Sequence, residues 1–298
     1  MAPDRTSQIT TQSAPPSGAL LCAHDVAIPL NTPCVMAILN VTPDSFSDGG
    51  LLLDLDDSLC AATTAVEHGA DILDIGGEST RPGAQRVSAD EQLRRVLPVV
   101  RAIRNAGITS PISIDTTRAS VARACIDEGA NIINDVSGAI EDESMLALAS
   151  ETGAAIILMH RHTTPDRDKY STQYASDAPD YSAQGGVVNA VRSFLEARAR
   201  AARAAGVPSH SIVLDPGLGF GKSVDDNLTL IEGTSRLTEL GHPILSALSR
   251  KSFLGALSGI EEPAGRDGVT LDMSLRHRQR GASMFRVHDV ESHARALR

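Results

Sequence analysis

The chain has 298 residues and a formal net charge of −10 at pH 7, with 42% hydrophobic and 21% charged residues. These proportions are those of a globular protein, and they exclude collagen-like, coiled-coil and extensively disordered chains. Because the net charge is negative, aromatic residues are only 3% and tryptophan is absent, we expect neither nucleic acid nor an anionic membrane surface as a partner.

The N-terminal segment differs in composition from the rest of the chain. Positions 1 to 20 are rich in Ser, Thr, Gln and Pro, and they lack the continuous apolar stretch of a secretion signal. The longest aliphatic run, Ala154–Met159, is far shorter than the ~20 residues of a membrane-spanning helix. We therefore predict a flexible tail over residues 1–30, one folded domain over residues 31–298, and a cytoplasmic protein without a membrane segment.

From residue 35 onward, short apolar runs alternate with longer amphipathic stretches that end in glycine. The runs predict strands over Val35–Leu39, Ile72–Ile75, Ile112–Ile114, Ile132–Ile133, Ala155–Met159, Ile212–Leu214, Ile244–Ala247 and Met284–Val287. Helices are predicted between them, including one over Ser88–Asn105 with a capping-box pattern at Ser88 and Glu91, and one over 187–205. Eight apolar strands, each followed by a helix, predict an α/β protein with the (β/α)8 TIM barrel fold.

Polar residues follow every predicted strand, at Asn40, Glu78, Asp115, Asn134, Asp135, His160, Asp215, Ser249–Lys251, Arg286 and His288. A single polar residue after a strand is ordinary loop chemistry. The complete set indicates a site, because the carboxyl ends of barrel strands meet at one rim, where barrel enzymes bind their substrates. Asp115, Asn134 and Asp215 could accept hydrogen bonds from ring N–H and amino groups, while Lys251 donates to a ring carbonyl. These residues predict a planar, guanidine-like heterocycle as the ligand.

A second group of residues predicts an anion site at the same rim. Arg286 and His288 from the last strand become neighbours of Asn40 from the first strand when the barrel closes. We interpret them as a cationic corner that holds a diphosphate, with a divalent ion bridging the diphosphate oxygens to Asn40.

Two common site types are excluded. The segment at 215–223 is rich in glycine, but Pro216 stands where a Walker A nucleotide loop needs glycine. The four cysteines form no CxxC pair and no Cys/His cluster with zinc-ligand spacing. We therefore expect neither a Walker A nucleotide site nor a zinc site.

Motifs spread over residues 35–290 resemble, as an ordered set, the dihydropteroate synthases of folate biosynthesis. They read ILNVTPDSFSDGG at 38–50, DIGGESTRPG at 74–83, IDT at 114–116, NDVSG at 134–138, LMH at 158–160, DPGLGFGK at 215–222, SRKSFLG at 249–255 and RVHDV at 286–290. The first two motifs contain Gly-, Ser-, Thr- and Pro-rich segments, 41–50 and 76–83, that are typical of loops able to close over a ligand. The set covers nearly the whole predicted domain and is highly specific.

This resemblance implies a transferase that joins p-aminobenzoate to 6-hydroxymethyl-7,8-dihydropterin diphosphate, giving 7,8-dihydropteroate and diphosphate with the help of Mg²⁺. It also implies a homodimer and a target of sulfonamides. The implied pterin site is Asp115, Asn134, Asp215, Phe220, Lys251 and Arg286, and the implied p-aminobenzoate site is Phe46, Thr80, Pro82 and Ser252. Asn40 would contact Mg²⁺, and the implied catalytic residues are Asp48, Arg81, Lys251, Arg286 and His288, of which Arg286 and His288 would hold the diphosphate.

Two other functions stay open on the sequence alone. A corrinoid-linked pterin methyltransferase would share the barrel and part of the pterin pocket, but it needs no diphosphate corner, which the last two motifs provide. A catalytically silent paralogue that binds a pterin or acts as a scaffold is disfavoured by the intact Asp48, Arg81 and Lys251. It is mildly favoured by one departure from the family pattern, the Arg-rich stretch 273–280 in place of an Ala-rich penultimate helix. Because Arg276, Arg278 and Arg280 would alter a dimer contact there, the oligomeric state stays open.

Overall fold

The structure is a computed structural model that describes residues 18–22, 24, 26–41, 51–174 and 178–298. Its strands are β1 (Ala19–Leu21), β2 (Ala27–Pro29), β3 (Cys34–Asn40), β4 (Ile72–Gly76), β5 (Ile112–Asp115), β6 (Ile132–Asp135), β7 (Ala155–Met159), β8 (Ile212–Asp215), β9 (Leu245–Ser246) and β10 (Met284–Val287). Its helices are α1 (Leu51–Glu67), α2 (Ala89–Asn105), α3 (Ala119–Asp127), α4 (Met145–Thr152), α5 (Val187–Ala204), α6 (Val224–Glu232), α7 (Thr234–Thr238), α8 (Ser252–Ser258), α9 (Asp267–Gln279) and α10 (Val290–Leu297). In the described part of the chain, no helix is both long and apolar enough to cross a membrane.

Strands β3 to β10 form one parallel sheet with the order β8-β7-β6-β5-β4-β3-β10-β9. The two ends of this order meet, because a parallel bridge joins Leu214 of β8 to Ile244, the residue before β9. In addition, the Leu214 N–H donates to the Pro243 carbonyl at 2.9 Å. The predicted (β/α)8 barrel is therefore confirmed, and each of the eight predicted strands coincides with a barrel strand within a few residues.

Alternating side chains along each strand divide the core into an outer and an inner part, as the two-residue period of a strand requires. On β3, Val35 and Ala37 belong to the large cluster between the sheet and the helices. Met36 belongs instead to a second cluster at the amino ends of the strands. We call it the floor cluster; its members are Leu20, Cys22, Ile28, Cys34, Met36, Ile72, Ile132, Ala155, Ile157, Val213, Leu245, Ala247 and Met284.

Two residues of the floor cluster come from the hairpin of β1 and β2, which pair antiparallel with Leu20 opposite Ile28. Leu20 is fully buried and Ile28 almost so. This hairpin lies within the segment that we predicted as a tail. Its apolar side chains cover the amino end of the barrel interior, so the described part of that segment packs against the barrel. The boundary at residue 30 stays a prediction.

The Arg-rich stretch forms most of α9, and two of its arginines have partners within the chain. Arg276 Nε and Arg280 Nη2 both form ion pairs with Glu232 at the end of α6. The buried His277 lies between them in sequence, and its ring bonds Thr234 and Ser246. The departure from the family pattern is thus accommodated by pairing inside the chain, and the homodimer stays a prediction.

Candidate active site

The carboxyl ends of four neighbouring strands bring polar side chains together at the rim of the barrel. Strand register places Asn40 level with Gly76, Gly76 with Asp115, and Asp115 with Asn134. A Cβ built on Gly76 would lie 3.4 Å from Asp115 Cβ and 3.8 Å from Asn40 Oδ1. Because Gly76 has no side chain, a gap remains between Asn40 and Asp115. These predicted site residues therefore face one opening.

Arg286 enters this opening from β10 and contacts two carboxylates. Its Nε lies 2.6 Å from Asp74 Oδ2, and its Nη2 lies 2.9 Å from Asp115 Oδ2. The Asn134 amide donates to both oxygens of Asp74 at 3.3 Å. Burial disfavours the charge on Arg286, but the two carboxylates more than offset burial and raise its pKa. Asp74 was not among the predicted site residues, although it begins the motif at 74–83 and is a carboxylate inside the apolar run of β4.

Asp115 and Asp215 are harder to ionise than aspartates in water. Burial raises the pKa of Asp115 to about 7, with Arg286 opposing the rise and Asp74 adding to it. Burial also raises the pKa of Asp215, and Lys251 opposes that rise. Carboxylates in such surroundings gain from ligand N–H groups that replace the lost water.

The glycine-rich turn after β8 is held between Asp215 and Lys251. Asp215 Oδ1 accepts a hydrogen bond from Gly217 N at 2.7 Å, while Lys251 Nζ donates to the Leu218 carbonyl. The Lys251 ammonium also lies 4.4 Å from the centroid of the Phe220 ring. Burial lowers the pKa of Lys251 to about 8, and Asp215 opposes this effect. The structure therefore brings Asp215 and Lys251 together on one turn.

The composition of this turn follows from its close contacts. Gly217 has a φ of +67°, and a Cβ there would lie 1.8 Å from the His160 carbonyl oxygen. At Gly219, a Cβ would lie 2.8 Å from Lys251 Cδ. Any side chain at either position would displace β7 or the lysine. The two glycines thus allow the backbone at His160 and the Lys251 side chain to approach the turn closely.

Lys222 ends the same turn, and its side chain bonds the backbone of that turn. It was not predicted as a site residue. It is fully buried, and its ammonium donates to the carbonyls of Gly217 at 2.8 Å and Phe220 at 2.9 Å, and lies 3.0 Å from His160 Nδ1. Burial lowers the pKa of Lys222 to about 7, with Asp215 opposing. The available signal was a lysine that directly follows a glycine-rich turn without being part of a Walker A loop.

A small apolar cluster of Val136, Met159 and Phe220 is separate from the main core. Val136 directly follows β6, Met159 ends β7, and Phe220 lies in the glycine-rich turn after β8. An apolar surface next to buried hydrogen-bond acceptors is the usual environment for a flat polar ring.

His288 is placed by Ser249, whose Oγ accepts from the His288 N–H at 3.2 Å and lies 2.9 Å from its Nδ1. Burial, together with the charges of Arg250 and Arg286, lowers the pKa of His288 to about 3, so the imidazole is neutral near pH 7. The charge of Arg286 is balanced by its two carboxylates. The corner that we interpreted as cationic therefore carries no net positive charge among the described residues, because burial keeps His288 neutral.

The second loop, residues 76–83, lies on the rim and carries two of the predicted p-aminobenzoate residues. Arg81 is exposed, whereas Thr80 and Pro82 are half-buried. The loop is tied to the segment after β7 by a hydrogen bond from Gly83 N to the Pro165 carbonyl at 2.8 Å. Arg81 lies close enough to His288 to contribute to the lowering of its pKa.

Ser252 is the first residue of α8, and its Oγ accepts a hydrogen bond from Ser171 N at 3.1 Å. The segment after β7 therefore also contacts α8. Phe46 and Asp48 lie outside the described residues. The assignment of the p-aminobenzoate residues, and of the individual site residues as a whole, stays a prediction.

Two of the polar strand ends serve the loops instead of the opening. Asp135 accepts hydrogen bonds from the N–H and the hydroxyl of Ser137 at 2.7 and 2.6 Å. Glu78 accepts from Arg86 Nε at 3.0 Å. At these two positions, the polar residue after the strand serves ordinary loop structure.

The described residues offer few ligands for a metal ion. Over those parts of the chain, no group of three His, Cys, Asp or Glu side chains is arranged to hold one. The Asn40 amide oxygen is a hard donor at the gap beside Gly76. Such a donor fits Mg²⁺, which keeps several waters and is commonly held by one or two protein oxygens together with substrate phosphates.

Comparisons with known proteins agree with this arrangement. The sequence profile of the family described as pterin binding enzyme matches residues 36–288. The dihydropteroate synthase of Synechocystis is 44% identical over 260 residues, which cover 87% of this chain and 86% of that protein.

Two solved structures are also similar. The Xanthomonas albilineans dihydropteroate synthase, solved with 4-aminobenzoic acid, superposes with a TM-score of 0.84 at 41% identity and covers 94% of this chain and 96% of that one. The Thermus thermophilus enzyme in complex with 6HMPPP gives a TM-score of 0.76 at 38% identity, with 94% and 97% coverage. Together with the rim geometry, these similarities establish that the chain belongs to the pterin-binding enzyme family, among the dihydropteroate synthases.

Proposed function

We propose that this protein condenses p-aminobenzoate with 6-hydroxymethyl-7,8-dihydropterin diphosphate to form 7,8-dihydropteroate and diphosphate. The observation that carries the proposal is that the buried acceptors Asp115 and Asn134 are paired in register and that Asp115 and Asp215 both act on Lys251, beside the separate apolar cluster at Val136, Met159 and Phe220. Hydrogen-bond acceptors on one side and an apolar surface on the other match a flat ring with a donor-rich edge. Related dihydropteroate synthases were solved with 4-aminobenzoic acid and with 6HMPPP, which supports the same two substrates for this chain.

The pterin ring is proposed to lie against Phe220 and Met159. Asp115 and Asp215 would accept from its amino and ring N–H groups, and Lys251 would turn from the Leu218 carbonyl to the ring carbonyl. Because the carboxylates are buried, hydrogen bonds to them are stronger than in water, and leaving them unpaired is costly. This explains a preference for rings that present several adjacent donors.

In the reaction, the C–O bond between the pterin methylene and the diphosphate breaks, and the p-aminobenzoate nitrogen forms a C–N bond to that methylene and loses a proton. Arg286 would donate to the departing diphosphate. His288 offers it Nε2, because Nδ1 is engaged by Ser249 and no described residue bonds Nε2. Preorganised donors aimed at the leaving group lower the barrier to its departure.

The second substrate is proposed to bind between the two loops, with its carboxylate near Ser252. Arg81 lies on the second loop, and Asp48 belongs to the segment 41–50, which the sequence predicts to be the first loop. Closing them over both substrates would exclude water, which would otherwise compete with the arylamine for the methylene carbon.

The positive charge of Arg286 is largely balanced by Asp74 and Asp115. Most of the negative charge of the diphosphate therefore has no partner among the described residues. We propose that Asn40 contributes its amide oxygen to a Mg²⁺ ion that accompanies the substrate. Such an ion supplies positive charge to the diphosphate oxygens and so favours their departure.

The test is a diphosphate-release assay in which p-aminobenzoate and Mg²⁺ are omitted in turn. We expect release and dihydropteroate formation to require p-aminobenzoate, and the rate to fall without Mg²⁺. Release that is independent of p-aminobenzoate indicates a hydrolase, and pterin binding without turnover indicates a silent paralogue. Either result contradicts the proposed function.

A further inference from the structure

Asp74 lies in the middle of β4, one residue pair below the rim, and its side chain is fully buried. Strand register sets it beside Ser113 of β5. It accepts hydrogen bonds from Arg286 Nε and from the Asn134 amide. Because the carboxylate has no exposed surface, it can act on a substrate only through the side chains that it contacts.

The guanidinium of Arg286 is held along one edge. Asp74 accepts from Nε and Asp115 accepts from Nη2, and no described residue bonds Nη1. A planar guanidinium that is fixed at Nε and Nη2 has a defined orientation, and its remaining nitrogen is directed away from both carboxylates. The long side chain therefore reaches the opening with little rotational freedom left to lose.

Asp74 and Asp115 differ in what they can do when a substrate enters. Asp115 lies at the end of its strand, where a ring donor can reach it, and it must share its acceptor capacity between Arg286 and that donor. Asp74 is enclosed, so a ligand donor has no access with which to compete for its bond to Nε. One carboxylate thus serves the arginine, while the other is available to the ligand.

We propose that Asp74 is a positioning residue that fixes the Arg286 guanidinium toward the pterin diphosphate and leaves Asp115 available for the pterin ring. This inference rests on the proposed function, whose substrate Arg286 would contact. Asp74 does not touch the substrate itself. Its removal should weaken the pterin diphosphate site and leave the p-aminobenzoate site unchanged.

The first experiment compares Asp74→Asn with a matched control, Ser113→Ala, which removes a buried hydroxyl without a partner among the described residues. The unchanged enzyme is assayed first, because its failure to form dihydropteroate would reject the proposed function and not the inference. In Asp74→Asn we expect the KM for the pterin diphosphate to rise about tenfold or more, since a charged hydrogen bond is lost. We expect the KM for p-aminobenzoate to stay within about twofold, and Ser113→Ala to match the unchanged enzyme in both constants.

A pH profile separates positioning from a general structural defect. The charged groups that interact electrostatically with Asp115 are Asp74 and Glu78 from β4 and its loop, Asp135 from β6, Lys251 after β9 and Arg286 from β10. The Asp74 carboxylate raises the pKa of Asp115, so removing its charge should shift the acid limb of pterin binding to lower pH. The shift should be absent from Ser113→Ala. An unshifted limb in Asp74→Asn overturns the inference.

A double-mutant cycle with Arg286→Met tests whether Asp74 acts through the arginine. We expect Asp74→Asn to weaken pterin binding by less than about twofold in the Arg286→Met background, because the guanidinium that Asp74 orients is already absent. An equal loss in both backgrounds overturns the inference. If Asp74→Asn alone does not fold, the Arg286 charge that it leaves buried without its partner is the cause. Folding of the double variant, which lacks that charge, then supports the coupling. If neither folds, Asp74 is needed for the barrel itself and the inference is wrong.

Discussion

On β8, Val213 and Asp215 point into the same barrel interior, but they are stabilised by different interactions. Val213 belongs to the floor cluster, where each residue contributes apolar contact that many neighbours share. Asp215 lies at the rim, where its charge depends on Gly217 N–H and on the nearby Lys251. Removing an apolar contact from the floor cluster lowers the stability of the fold but leaves no charge unpaired. Removing a charged residue at the rim leaves the buried charge of its partner uncompensated. Changes to the floor should therefore alter folding, and changes to the rim should alter binding.

The largest effect is expected for Asp215→Ala. Without this carboxylate the pterin loses an acceptor, and Lys251 and Lys222 lose their nearest compensating charge. We expect the affinity for 6-hydroxymethyl-7,8-dihydropterin diphosphate to fall at least about a hundredfold in isothermal titration calorimetry.

The matched control for that change is Val213→Ala on the same face of the same strand. We expect it to lower the free energy of unfolding by about 2 kcal/mol in denaturant titrations, with pterin affinity unchanged. An Asp215→Ala protein that binds pterin normally would contradict the assignment of the pocket.

An intermediate effect is expected for Arg81→Ala on the exposed second loop. Because Arg81 lies outside the pterin pocket, we expect turnover to fall about tenfold in steady-state assays while the dissociation constant of the pterin diphosphate stays the same. Asp48→Ala is expected to behave in the same way. Gln85→Ala, an exposed change in the same loop as Arg81, serves as the control and should leave turnover unchanged.

The pH dependence of pterin binding sharpens the comparison at the rim. The ionised form of Asp115 accepts the ring hydrogen bonds, and burial places its pKa at about 7. As pH falls below 7, a proton must be released for each ligand bound, so affinity should fall by up to about tenfold per pH unit. Asp115→Asn should bind weakly and lose this dependence, as measured by titration calorimetry from pH 5.5 to pH 8. A flat profile for the unchanged enzyme would speak against Asp115 as the titrating acceptor.

The smallest effect is a change in the slope of stability with pH for Lys222→Met. Burial lowers the pKa of Lys222 to about 7 in the folded chain, whereas an unfolded lysine has a pKa of about 10.4. Between these values the unfolded chain binds more protons, so this lysine makes stability rise as pH rises. Relative to the unchanged protein, Lys222→Met should lose that rise in denaturant titrations at pH 7 to pH 10. Lys169→Met, which removes an exposed lysine, should retain it.

The eight strands and their polar ends could be predicted because both follow from local patterns. Apolar runs of two to five residues mark the strands, and the barrel brings their ends together whatever the loops between them do. Asp115, Asn134 and Asp215 could therefore be placed at one opening before their surroundings were known. The raised pKa values of Asp115 and Asp215 could not be predicted, because burial depends on the packing of all eight strands.

The unpredicted features depend on contacts between distant parts of the chain. Asp74 looks like an interruption of an apolar run until it is paired with Arg286, 212 positions away. The hairpin of β1 and β2 has three-residue strands, which are too short to show a period. The neutral state of His288 follows from its burial, and no local pattern indicates it.

A crystal structure with bound 6-hydroxymethyl-7,8-dihydropterin diphosphate tests most directly whether the rim recognises a pterin through buried carboxylates. We expect the ring to lie against Met159 and Phe220, with its amino and N–H groups within hydrogen-bond distance of Asp115 and Asp215, and its diphosphate at Arg286 and His288. A pterin that binds elsewhere, or that turns its donor edge away from both aspartates, would contradict the account.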